Sequence, residues 1–244
     1  PPLMYGGLFV VGMVIVGGLV IAFLFRDTAT PVTRGDLTVD SLLVGTETGD
    51  PGVYEYATTG GEEVDALSGA RHDYPAETLA VARAGDCGLV IRWVALEERW
   101  TEWTRCDGEV FPRVEDTMHT WFGIPEPSKW MCTPDGPVPD PAPGVTWTET
   151  CTNGESTDLA TYEVIGFETL TIGGTDVETV HLTREATSGG RTSGETTREE
   201  WVSLDGGLLV KGIYYGRSVS STSVGDVTYI EEYTLELLDL LPGA

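Results

Sequence analysis

The chain is poor in positive charge: it carries two lysines, Lys129 and Lys211, and 14 basic residues against 39 acidic ones, a formal charge of −25 over 244 residues. A surface this acidic repels a phosphate backbone, because nucleic-acid binding runs on counterion release by Lys and Arg, and that function class is excluded. Chemical motifs are also missing. There is no GxSxG elbow or SxxK for nucleophilic catalysis. There is no GxGxxG or Walker loop for phosphate, no CxxC or paired-His spacing for zinc, and no D-x-[DN]-x-[DN]-G loop for calcium. The three histidines, His72, His119 and His181, are isolated from one another in sequence. A catalytic role for His119 or His181 requires convergence with a carboxylate in a cleft. The pairs Glu97-Glu98, Glu199-Glu200 and Glu231-Glu232 read as solvated faces. No catalytic residue, metal ligand or cofactor is assigned, and the chain is expected not to be an enzyme.

What is present begins with an uncharged run, Leu3 to Phe25, which as a helix spans roughly 34 Å and is enough to cross a bilayer. It predicts a single transmembrane anchor over 1–25. Helical spacing brings Gly7, Val11, Val14, Gly18 and Ala22 to one small-residue stripe, a candidate face for packing against a partner helix. Residues 26–51, short of aromatics and punctuated by Thr, Gly, Asp and Pro, read as a juxtamembrane linker. A β domain is expected over 52–244.

The four cysteines, Cys87, Cys106, Cys132 and Cys151, all follow the apolar run. An even number without metal spacing favours disulfides, and the simplest connectivity is Cys87 to Cys106 and Cys132 to Cys151. Such bridges persist in oxidising surroundings, so the domain is placed outside the cytoplasm. If Cys87 faces Cys106, cross-strand partners sum to 193, setting Trp93 opposite Trp100, Ile91 opposite Glu102 and Leu89 opposite Thr104. Leu96-Glu97 lacks the Gly or Asn of a tight hairpin, which leaves room for a slipped register.

Beyond Gly52 the chain alternates apolar and polar residues in segment after segment, from Val53–Ala57 to Val227–Leu238, the period of half-buried strands. Gly173-Gly174, Ser188-Gly189-Gly190, Asp205-Gly206-Gly207 and Gly225-Asp226 punctuate them as turns of a meandering antiparallel sheet. The less regular 60–72 region is the place where a helix could lie. Thr133 to Gly144 holds five prolines in twelve residues and reads as a stiff loop between halves, clamped by the second bridge. The fold class is all-β: a membrane helix followed by a disulfide-stapled, curved antiparallel sheet or half-barrel.

All seven tryptophans lie in the outer domain. Trp93, Trp100, Trp121, Trp147 and Trp201 are candidates to line an apolar cavity on the concave side. The strand–Trp–strand run at 178–221, with Trp201, Leu204, Asp205, Gly206, Gly207, Leu208 and Val210, resembles the LolA-like and LppX/LprG-like lipoprotein-sorting carriers, in which a sheet curls around an apolar cavity. The Arg-rich, Lys-poor usage with RWVALEERWTEWTRC and HTWFG resembles membrane-anchored actinobacterial proteins, a group that implies no activity. Together these lead to an extracytoplasmic binding protein at the cell membrane, whose partners are the bilayer and either an apolar ligand or a protein. The alternative is an accessory subunit of a larger membrane protein complex, contacting an integral-membrane partner.

Overall fold

The computed structural model describes residues 27–37, 49–66, 69–106, 109, 111–222 and 225–243. The expected anchor and its Gly7, Val11, Val14, Gly18 and Ala22 stripe lie outside them. Among the described residues no helix is long and apolar enough to cross a membrane: the expected membrane helix followed by a curved sheet or half-barrel is corrected to thirteen strands in one antiparallel sheet, and the all-β part of the expectation stands.

Thirteen strands follow one another: β1 (Gly52–Val64), β2 (Ala70–Asp73), β3 (Glu77–Ala84), β4 (Gly88–Leu96), β5 (Arg99–Cys106), β6 (Val114–Trp121) and β7 (Ile124–Pro134). Then come β8 (Thr146–Thr152), β9 (Ser156–Ile172), β10 (Thr175–Gly190), β11 (Thr192–Ser203), β12 (Leu209–Thr222) and β13 (Gly225–Leu237). From β3 to β13 each strand pairs antiparallel with the next, and β13 pairs with β1. The sheet therefore closes on itself; it is not a half-barrel. Closure depends on the length of β1. One edge pairs with β3 along Gly52–Ala57 and then with β2 along Gly61–Val64, while the other pairs with β13 from Tyr56 to Val64. The region read as irregular, with room for a helix, is thus the end of β1 and all of β2. Gly60 makes this crowding tolerable: its φ is 110°, and a Cβ there would meet the Glu232 carbonyl at 2.1 Å, a conformation and a clearance that only glycine provides.

The turn readings hold at Gly173-Gly174 and Asp205-Gly206-Gly207, whereas Ser188-Gly189-Gly190 ends β10 and Gly225-Asp226 starts β13, both paired within the sheet. Gly173 and Gly174 both have positive φ between β9 and β10, as a two-residue hairpin of matching twist requires. Of the 133–144 stretch, Thr133 and Pro134 end β7 and pair with β8, and the rest connects the two strands beside the Cys132–Cys151 bridge. Both expected disulfides are present. The register beside the first is shifted: Gly88, not Cys87, pairs with Cys106, and Trp93 faces Thr101, Ile91 faces Trp103 and Leu89 faces Arg105. A bulge between Val94 and Leu96 takes up the odd residue, and the slip puts Trp93 and Trp103 on the inner face while Trp100 lies outside under Arg92, 4.3 Å away.

The wall meets one weak seam. β9 and β10 pair over their whole length, whereas β7 and β8 pair only through Met131–Thr152, Cys132–Cys151, Thr133–Thr150 and Pro134–Glu149. The first half of β7 has no partner on its β8 side among the described residues. Cys132 donates its amide to Arg113 before β6, so strand parity turns positions 125, 127 and 129 toward the free side. Two of those three are proline, which removes donors from an edge that would otherwise recruit another strand.

A ring of this many strands is wider than side chains of ordinary size fill. Here long side chains do it. Trp93 packs against Tyr74 and Tyr233, Trp147 stacks on Tyr162 at 4.8 Å and abuts Phe111, and Tyr54, Tyr56 and Leu235 are almost wholly buried. Between them, Arg–Glu pairs reach from one wall to another: Arg99 (β5) to Glu231 (β13), Arg105 (β5) to Glu200 (β11), and Arg198 (β11) to Glu115 (β6).

Candidate functional site

The densest chemistry lies at the end of the barrel where β1 meets β2 and β13. Glu62 on β1 is directly opposite His72 on β2 and directly opposite Glu231 on β13. Two carboxylates facing each other across a ladder repel, and the surrounding residues answer that repulsion. Arg99, from β5, holds Glu231 by two bonds, Nε to Oε1 at 2.9 Å and Nη2 to Oε2 at 3.1 Å, and its Nε lies 3.7 Å from Glu62. Tyr74 donates its hydroxyl to Glu231 at 2.5 Å. Glu62 accepts from His72 Nδ1 at 2.8 Å through one oxygen, and from His119 Nδ1 and the Tyr229 hydroxyl, each at 2.8 Å, through the other.

These contacts set the protonation states. Burial pushes the Glu62 carboxyl up, but the hydrogen bonds from His119 and His72 outweigh it and hold the group well below the usual carboxylate range. Burial likewise pushes His72 down, and the hydrogen bond and charge of Glu62 together with Asp27 overcome it, so its pKa is raised. Both His72 ring nitrogens face carboxylates, Glu62 at 2.8 Å and Asp27 at 2.9 Å; only the imidazolium, with two N–H donors, satisfies both. Its ring stacks on Trp121 at 4.1 Å. Tyr74 is raised well above its ordinary value by burial and by Glu231, and remains a neutral donor.

Asp27 connects this cluster to the segment that precedes the barrel. Its second oxygen accepts the Phe122 amide at 2.9 Å, in the β6–β7 turn where Phe122 has a φ of 55°. Thr28 and Thr30 both donate to Glu98, between β4 and β5, and Glu97 donates its amide to the Thr30 carbonyl. The first described residues, in the stretch read as a linker, thus lie strapped across this end of the barrel.

His181 forms a second, smaller group. Its Nδ1 bonds Glu168 at 2.9 Å, its ring stacks on Trp201 at 4.0 Å, and Trp201 donates its indole N–H to the same Glu168 at 3.0 Å. Lys211 lies over the other side of the indole system, 4.7 Å from its centre. Both His119 and His181 therefore meet a carboxylate, the first half of the catalytic requirement. The second half is a cleft, and neither histidine lines the grooves along the Pro-rich loop (about 400 Å³), beside β2 (about 520 Å³) or across β8–β11 (about 620 Å³).

Of the tryptophans expected to line a cavity, Trp93, Trp121, Trp147 and Trp201 are buried in ring-to-ring contacts, and Trp100 is half-buried on the outer face. Sequence reading missed Glu62, His72, Arg99 and Glu231, because they stand up to 169 positions apart (231 − 62). One signal was available: in β13, Glu231 shares its strand parity with Tyr229, Tyr233, Leu235 and Leu237, the face that turns inward.

No protein-family profile matches the chain, and no curated protein does. Among solved structures it is similar to the hypothetical lipoprotein YmcC from Escherichia coli K12, at 14% identity and a TM-score of 0.35, over 84% of this chain and 97% of that one. A likeness at that score carries no argument about fold or function.

Proposed function

We propose that this chain is a non-catalytic, extracytoplasmic binding module whose outer wall docks a protein partner, as an accessory component of a larger assembly. The observation that carries this reading is the filled interior: Trp93 and Trp147 are locked against Tyr233 and Tyr162, and the space between walls is crossed by Arg–Glu pairs. What the molecule offers to others is its outside. Four arginines, Arg99, Arg105, Arg184 and Arg198, are spent on inner pairs, so the outer surface is depleted of cations and suits a partner with a basic face. Apolar side chains punctuate that surface, Leu159, Ile165 and Phe167 on β9 and Ile213 and Tyr215 on β12, as anchors among Thr and Glu. The two disulfides support an oxidising compartment.

The apolar-ligand reading, to which the resemblance to lipoprotein-sorting carriers points, rests on one groove beside β2 where Val64, Ala70 and Ile230 meet Glu63, Arg71 and Arg217. Photo-crosslinking separates the two in the native organism. A crosslinking residue at Ile213 or Tyr215 that captures one defined protein supports the outer-wall reading. Capture at Ala70 of an extractable lipid, with none at Ile213 or Tyr215, overturns it.

A further inference from the structure

Buried beside the weak β7–β8 seam is a charged pair in contact with a disulfide. Cys151 Sγ lies 3.4 Å from Glu149 Oε1 and 3.8 Å from Arg184 Nη2. Glu149 is 1% exposed and Arg184 6%, and the Glu149 carboxylate and both sulfurs lie within 4.8 Å of one another. Arg184 Nε reaches Glu149 Oε1 at 3.4 Å, while Glu149 Oε2 is buried without a hydrogen-bond partner. A disulfide that only staples strands needs no buried cation and no half-satisfied carboxyl against its sulfur. The Cys87–Cys106 bridge has neither among its described contacts.

We infer that Cys132–Cys151 is a thiol–disulfide exchange site, a clasp that an external dithiol opens, with Cys132 as the attacked sulfur and Cys151 as the leaving thiolate. Cys151 is almost wholly buried, whereas Cys132 is partly accessible, and a groove along the Pro-rich loop is lined by its neighbours Thr133 and Pro134. One thiolate of the dithiol attacks Cys132 Sγ. The S–S bond breaks, and its electron pair leaves on Cys151 Sγ beside the Arg184 guanidinium, which stabilises the new anion. The second thiol of the reductant then attacks its own mixed disulfide, expels Cys132 as thiolate and becomes the cyclic disulfide. The dithiol is oxidised by two electrons, the protein disulfide is reduced by two, and the two protons released by the reductant are taken up at Cys132 and Cys151. Glu149 is placed to relay one of them; burial raises its pKa, so it holds a proton more readily than an ordinary carboxyl. Opening the bridge removes the covalent link from a seam that is paired at only four positions.

The test equilibrates the full chain in mixtures of reduced and oxidised dithiothreitol, alkylates the free thiols and reads each bridge by peptide mass spectrometry. Cys132–Cys151 is expected to open at a reduced-to-oxidised ratio at least about tenfold lower than Cys87–Cys106. Arg184→Lys keeps that gap, Arg184→Met closes it, and hydrogen exchange over 131–152 rises once the bridge opens. In Cys132→Ser, the lone Cys151 thiol is expected to ionise below the ordinary value of about 8.5, read by iodoacetamide reactivity against pH. Simultaneous opening of the two bridges, earlier opening of Cys87–Cys106, or a Cys151 that ionises at or above the ordinary value overturns the proposal.

Discussion

Replacing Arg99 by methionine isolates what the buried cluster contributes. Methionine keeps most of the side-chain length but removes the cation that stands between Glu62 and Glu231, two buried carboxylates in directly opposite ladder positions. Glu231 loses both guanidinium bonds and Glu62 its neighbour at 3.7 Å. Removing one partner of a buried pair costs about 3–5 kcal/mol, because the other charge is left uncompensated. For a domain of this size each kcal/mol moves the midpoint by about 2–4 °C, so thermal unfolding followed by circular dichroism at pH 7 is expected to shift down by roughly 6–20 °C. The deficit has a signature that a simple packing defect lacks. In the variant one carboxyl of the facing pair takes up a proton on modest acidification, so the gap to the parent narrows between pH 7 and pH 5. Adding Glu231→Gln to Arg99→Met recovers at least half of the loss. A single variant within about 3 °C of the parent, or a gap independent of both pH and Glu231→Gln, refutes the reasoning.

The pH dependence of the parent chain follows from the two shifted groups. Glu62 is held low, so its contribution is present above its unfolded value near 4.5 and is lost as pH falls toward its folded value; His72 is raised, so its contribution is complete below about 6.5 and is lost as pH rises through its folded value. Urea unfolding from pH 4 to 9 is expected to show the site's stabilisation greatest between roughly 4.5 and 6.5, with the alkaline decline flattened in His72→Asn. Asp27→Ala removes the strap's bonds to His72 and Phe122, and is expected to speed proteolysis within 27–37 at a cost of about 1–2 kcal/mol to the whole fold. Trp93→Ala empties a site packed by Tyr74 and Tyr233 and is expected to cost about 3–5 kcal/mol in denaturant titration. Pro125→Thr with Pro127→Thr restores donors to the free side of β7, and light scattering is expected to show concentration-dependent self-association absent from the parent.

Strands, hairpin turns and disulfides were legible because each leaves a local trace: alternation, paired glycines and an even set of cysteines. Closure was not, because the decisive part of β1 is Thr59-Gly60-Gly61-Glu62-Glu63, whose glycines and carboxylates read as a break or an irregular stretch. Those glycines are there because β13 and β2 crowd the backbone from both sides. The interior charges were hidden by the ordinary expectation that Arg and Glu in strands face water. Strand parity contradicts it at Arg99, which shares a face with Thr101 and Trp103, and at Arg184, between Leu182 and Ala186. The register beside Cys87–Cys106 was one residue off because the bridge ties Cys106 to the residue before β4 and not to its cross-strand partner Gly88. The apolar cavity was expected from tryptophan content together with the resemblance to the carriers; neither carries a trace of the ring contacts that bury Trp93, Trp121, Trp147 and Trp201.

The central claim is that the barrel's interior is occupied by its own side chains and that binding takes place on its outer wall. The most direct test is mild purification of the chain from its native organism, followed by mass spectrometry of the co-purifying proteins and of the extractable lipids in the same fraction. The account predicts a reproducible protein partner at fixed stoichiometry and no lipid in constant ratio to the chain. A lone protein carrying one defined lipid per chain contradicts it.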